Sequence, residues 1–236
     1  MDPIIQRIRD DLIEMSDETS RISSQRFFKE KVLFHGVKSA GVGKIAKKYW
    51  NEVKKLDKPA IFALCEELYT SGYCEEAFLV SSWVPNLSDQ YTPEDIAIFR
   101  HWINSYITNW AMCDGFCNHS VGLFIERYPE YIEELMTWTQ SENRWMRRAA
   151  AVSLIVPAKH GKFLNEAFKI ADLLMNDTDD MVQKGYGWLL KEASRHHQDE
   201  VFAYVLRHKK VMPRTSLRYA IELMPKEIRA EAMKKT

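Results

Sequence analysis

Apolar residues recur at steps of three and four along nearly the whole chain, and this periodicity restricts the fold more than any other feature. In EDIAIFRHWINSYITNW, Ile96, Phe99, Trp102, Ile103 and Tyr106 form one stripe; in FLNEAFKIADLLM the stripe is Phe163, Ala167, Ile170 and Leu174. Residues spaced this way share one face of an α-helix. No alternating stretch of five or more residues reads as a strand. Nine Gly and eight Pro in 236 residues are also few for a turn-rich β fold. The spacing predicts an all-α protein.

Breaks in the pattern divide it into helices. SDQYTPEDIA offers Thr92 as N-cap and Pro93 at the first helical position, RYPEYIEEL restarts at Pro129, NDTDDMV supplies a cluster of cap residues, and HKKVMPRTSLRYA opens a helix near Pro213. Segments beginning CEEAF, NWAMC, RWMRR, MVQKG and RTSLR start about 35 residues apart, each after another amphipathic helix, as in helical-hairpin repeats. A hairpin of this kind cannot bury its own apolar face, so neighbours stack into an α-solenoid with a concave side. A compact irregular bundle is the alternative, because regular helix lengths imitate a repeat. No Gly-, Ser- or Pro-rich linker interrupts the chain, which predicts a single domain over residues 1–236.

Several classes of function are disfavoured. No run of about 18 apolar residues suggests a membrane span, and MDPIIQRIRDD lacks the apolar core of a signal peptide. Cys65, Cys74, Cys113 and Cys117 are too few for a disulfide scaffold, so free thiols in a reducing cytoplasm are expected. The net charge of zero hides an asymmetry. Residues 1–140 carry 15 Lys/Arg against 21 Asp/Glu, residues 141–236 carry 18 against 12, and residues 21–58 carry 11 against 3. A surface with positive charge on one side fits a nucleic-acid binder; a solvated helix face is the plainer reading.

The stretch TNWAMCDGFCNHS gathers the most chemistry. Cys113, Cys117 and His119 bring three soft ligands within two helical turns, but Cys65 and Cys74 do not supply a matching second half, so the cysteines read as packing rather than as a zinc site. GVKSAGVGK lacks a phosphate-loop ending and follows a helical segment, which leaves a basic interhelix loop containing Lys38, Ser39 and Lys44. Gly185 and Gly187 sit inside a predicted helix, where glycine costs about 1 kcal/mol against Ala, and they imply close approach of another backbone. Trp110, Trp145 and Trp188 recur on successive second helices, with Arg147, Arg148, Lys184, Lys191 and Arg195 nearby. Tryptophan with Arg and Lys on one concave face would line a groove for a nucleic-acid backbone; the alternative places the indoles in the core.

TNWAMCD, RWMRRAA and KGYGWLLKE, in this order and separation, resemble the AlkD-type DNA alkylation repair proteins, and RFFKEKVLFHGVKS is similar to that family's first repeat. The resemblance runs from about Phe27 to Met224. It implies HEAT-like repeats around a concave basic groove, and a glycosylase that excises N3- and N7-alkylated purines from duplex DNA. It also implies no cofactor or metal, a monomeric protein, and a cytoplasmic, nucleoid-associated location. By the same resemblance Asp114 is the catalytic carboxylate, Trp110 and Trp188 are walls of the active site, Arg148 contacts the DNA backbone, and Phe27 is a first-repeat aromatic near the lesion. Lys38, Ser39, Lys44, Arg147, Lys184, Lys191 and Arg195 are further DNA-contact candidates. Four positions depart from the family: Ala111 follows the Trp where an acidic or polar residue is common, Phe27 replaces a Tyr found in some members, and Ala40 and Gly43 stand in the loop where a Pro and an Arg are often found. A catalytically silent DNA-binding relative and a protein-interaction scaffold are the alternative functions.

Overall fold

The computed structural model describes residues 2–234. The chain is all-α, with no strand among the described residues and one isolated bridge between Leu33 and Tyr73. It divides into two compact units, Met1–Phe116 and Cys117–Thr236. No helix among the described residues is long and apolar enough to cross a membrane.

The first unit contains α1 (Pro3–Glu14), α2 (Glu18–Gln25), α3 (Ser39–Val53), α4 (Lys58–Thr70), α5 (Cys74–Trp83), α6 (Asp95–Tyr106) and α7 (Trp110–Phe116). Aspartates start three of them: Asp2, Asp17 and Asp57 accept from the amides of Ile4, Ser20 and Ala60. The core is rich in aromatic residues. Phe62, Tyr69, Phe99, Trp102 and Phe116 meet mostly tilted or edge-on, at ring separations of 5.3–6.1 Å. Truncating such a buried ring to Ala costs about 3–5 kcal/mol. The indole N–H groups of the two fully buried tryptophans are satisfied: Trp83 donates to the Ala46 carbonyl at 2.9 Å, and Trp102 donates to Glu66.

The second unit opens with a π-helical turn, Cys117–Val121, that leads into α8 (Gly122–Arg127). It continues through α9 (Ile132–Trp138), α10 (Arg144–Val152), α11 (Ile155–Lys159), α12 (Leu164–Leu173), α13 (Asp180–Ala193), α14 (Gln198–His208), α15 (Arg214–Ala220) and α16 (Lys226–Met233). Its centre is α13, which packs on α10, α11, α12 and α15. Gly187 allows the closest of these approaches: a Cβ there would stand 2.9 Å from the Ser216 carbonyl oxygen and 2.8 Å from Tyr219 Cβ. The mid-helix glycines expected from GYGW therefore serve helix packing.

A repeat is visible in the long-range hydrogen bonds within each unit. Trp83 to Ala46, Asn109 to Cys74, His101 to Glu66, Arg144 to Asp179, Lys162 to Glu126, Tyr204 to Asp172 and Ser216 to Gln183 all join residues 32 to 37 apart. Bonds at one recurring separation are what successive stacked hairpins produce, and the fold is a helical-repeat fold.

One boundary differs from expectation. Thr92 does not cap α6; residues 92–95 form a turn first, in which the Asp95 amide donates to the Thr92 carbonyl and the Thr92 amide donates to the Asp95 carboxylate. Lys58 pins that carboxylate at 2.8 Å, so the helix begins at Asp95. All four cysteines are free and buried, and burial raises the thiol pKa values of Cys65 and Cys74, the latter to about 12.

Candidate active site

Trp110 and Asp114 lie on α7, whose start is fixed by Asn109. This residue is fully buried, its side-chain oxygen accepts from the Met112 amide at 3.0 Å, and its amide nitrogen points to Cys74 Sγ. Residues four apart share a helix face, so Trp110 and Asp114 project together, and both are half-buried.

The Trp110 indole is held from two directions within the first unit. Its Nε1–H donates to the Phe27 carbonyl at 3.3 Å, and its ring stacks on Phe28 at 5.3 Å with an interplanar angle of 19°. Phe34 backs Phe28 at 5.6 Å. Phe27 thus contributes its carbonyl to the tryptophan and leaves its own ring 74% exposed. The segment that carries these residues is itself anchored. Gln25 donates to the Glu30 carbonyl and accepts from the Val32 amide, while the buried Glu75 carboxylate accepts from the amides of His35, Gly36 and Val37. Glu76, next along α5, binds Arg9 and His35. Burial would raise the Glu76 pKa, but hydrogen bonds from His35 and Arg9 outweigh it and hold the carboxyl below its usual range.

The basic candidates fall into two groups. Lys38, Ser39 and Lys44 are exposed at the start of α3, and Lys38 places no side-chain acceptor over the first amides of that helix. An open helix N-terminus beside two lysines is suited to a phosphate. Nearby, a depression of about 710 Å³ is lined by Arg21, Arg26 and Lys31 above Ile22, Leu33 and Phe34. In the second unit the cations are already paired. Lys184 meets Asp180 at 3.1 Å, Lys191 meets Glu222 at 3.0 Å and Arg195 meets Glu192 at 2.5 Å. Arg147 makes four bonds to Asp177 and to the Ser141 and Glu142 carbonyls, which makes it a staple of that unit. Arg148 is 5% exposed, donates to the Met181 carbonyl and lies over Gly185. Its burial suits a fixed cation rather than a mobile surface grip. Trp188, on α13, is half-buried and donates to Glu192 at 3.3 Å.

The structure adds residues that the sequence pattern did not single out: Asn109 as helix cap, Phe28 and Phe34 as support for Trp110, and Glu75 as anchor of the loop. The Asn directly before the helix was a readable cap signal. Nothing in the sequence marked Glu75, because its partners are backbone amides about 40 residues away.

A search of curated proteins finds no match to this chain. Among solved structures, a predicted DNA alkylation repair enzyme from Enterococcus faecalis superposes with a TM-score of 0.79 over 90% of this chain and 98% of that one, at 15% identity, which is a likeness of fold. The family described as DNA alkylation repair enzyme matches residues 8–224. With nearly the whole chain matched, Trp110, Asp114, Arg148 and Trp188 included, this protein belongs to the DNA alkylation repair enzyme family.

Proposed function

We propose that this protein is a monofunctional DNA glycosylase that removes cationic N3- and N7-alkylated purines from duplex DNA. Family membership supports a role in the repair of alkylation damage. The observation that carries the finer reading is the pairing of Asp114 with Trp110, one turn apart on a capped helix, with the indole held in place.

The chemistry follows from the charge of the lesion. An N3- or N7-alkylpurine is already cationic, so its glycosidic bond breaks without prior protonation. The bonding electron pair leaves with the purine and neutralises it, while positive charge develops at the sugar. A carboxylate at Asp114 stabilises that charge, orients water toward C1′ and accepts the proton that the water loses. The indole of Trp110 attracts that cation through its face, worth about 0.5–2 kcal/mol, and the family resemblance gives Trp188 the role of a wall residue. Arg148, Lys38, Ser39 and Lys44 are assigned to phosphates, which position the duplex without reading its sequence. In the second unit Lys184, Lys191 and Arg195 exchange an internal carboxylate for a phosphate if they take part. On this reading the protein works as a monomer in the cytoplasm, at the nucleoid, and needs no cofactor.

The test is direct. Purified protein incubated with methylated duplex DNA is expected to release free 7-methylguanine or 3-methyladenine, identified by mass. Tight, salt-dependent duplex binding without release would leave a DNA-binding relative that has lost catalysis; affinity insensitive to ionic strength would point to a protein scaffold.

A further inference from the structure

We propose that Phe28 is a positioning residue: it holds the Trp110 indole in the orientation that the active site uses, and by covering one face of that indole it leaves the other for the sugar. The proposal rests on the reading of Trp110 as a wall of the active site.

Three contacts carry it, all within the first unit. The near-parallel stack of Phe28 on Trp110 fixes the plane of the indole, and the Nε1–H bond to the Phe27 carbonyl fixes its rotation in that plane. Phe34 behind Phe28 keeps the phenyl ring from sliding away. Trp110 stands at the first position of α7, so nothing N-terminal in the helix itself covers that face. The segment that carries Phe28 is immobilised independently, by the paired hydrogen bonds of Gln25 and by the three amides seated on Glu75. Phe28 is half-buried and belongs to a loop rather than to the aromatic core. The rings it meets among the described residues are those of Trp110 and Phe34, and of these only Trp110 is assigned to the active site, so its effect on the reaction passes through Trp110.

A double-mutant cycle tests this with single-turnover release of 7-methylguanine as the readout. Phe28→Ala is expected to slow release about two- to tenfold, the range to which an aromatic pair corresponds, with duplex affinity unchanged within about twofold. In the Trp110→Ala background the same substitution is expected to cost nothing further, and Phe28→Tyr is expected to keep the wild-type rate. Equal slowing by Phe28→Ala in both backgrounds, or no slowing at all, overturns the proposal. A second readout is independent of activity. The chain has seven tryptophans, and the indole cross-peak of Trp110 is assigned by its loss in Trp110→Phe. That peak is expected to move or broaden in Phe28→Ala; an unmoved peak overturns the proposal. If the wild-type protein releases no base, the glycosylase reading fails, and the indole peak alone decides the role of Phe28.

Discussion

Replacing Glu75 is the sharpest structural perturbation available, because one side chain holds the segment on which the first-unit site is built. Glu75 is 2% exposed and stands in the first turn of α5, where the helix end favours negative charge. One carboxylate oxygen accepts from the Gly36 and Val37 amides at 2.9 and 3.1 Å, and the other accepts from His35 at 3.1 Å. Hydrogen bonds to a charged group contribute about 1.5–3 kcal/mol each, and a buried amide stripped of its partner costs about 1–3 kcal/mol. Glu75→Gln keeps the volume but turns an NH2 group toward amide donors, so at least one bond becomes a repulsion. It is expected to cost about 2–3 kcal/mol, a fall of about 4–12 °C in the melting midpoint of a chain this long. Glu75→Ala removes all three hydrogen bonds and is expected to cost about 4–6 kcal/mol. Thermal unfolding followed by circular dichroism gives the global figure. Amide hydrogen exchange gives the local one: protection at His35, Gly36 and Val37 should fall before that of the α6 core. A Glu75→Gln protein melting within about 1 °C of wild type, with these three amides still protected, would refute the reasoning.

Two further predictions follow from the packing and the charges. Gly187→Ala puts a methyl against the backbone of Ser216, which cannot yield, and should destabilise by about 1–3 kcal/mol despite better helix propensity; Gly43→Ala meets open space in α3 and should stabilise by up to about 1 kcal/mol. Urea titrations of the two variants should therefore shift in opposite directions. Because the Glu76 carboxyl is held below its ordinary value, its contribution is complete above the unfolded pKa of about 4.5 and is lost as pH falls through the native value. Melting curves from pH 6 downward should show an acid-labile component that is absent in Glu76→Gln.

The helical repeat was legible because its cause is local. Apolar spacing, aspartate caps and Pro or Gly breaks act over a few residues, and they located α12 and α13 and the close approach at Gly187. The α6 boundary was misplaced because the Asp95 carboxylate, bound by Lys58 from 37 residues away, takes the Thr92 amide into a turn ahead of the helix. In the site, Trp110 and Asp114 could be set on one helix face from their spacing alone. What the indole stacks on could not, since Phe28 lies more than 80 residues earlier in the chain. The basic residues show the same limit. Its place beside Trp145 made Arg147 a DNA-contact candidate, but which groups its guanidinium meets depends on Asp177 and two carbonyls that no local pattern places beside it.

The central claim is that Asp114 stabilises the sugar cation as an alkylpurine leaves. The direct measurement compares wild type with Asp114→Asn in single-turnover release of 7-methylguanine, alongside duplex affinity at one fixed salt concentration. Asparagine keeps the shape and removes the charge, so release should fall about 10²–10³-fold while affinity changes by less than about threefold. An Asp114→Asn protein that releases the base at the wild-type rate would contradict the account.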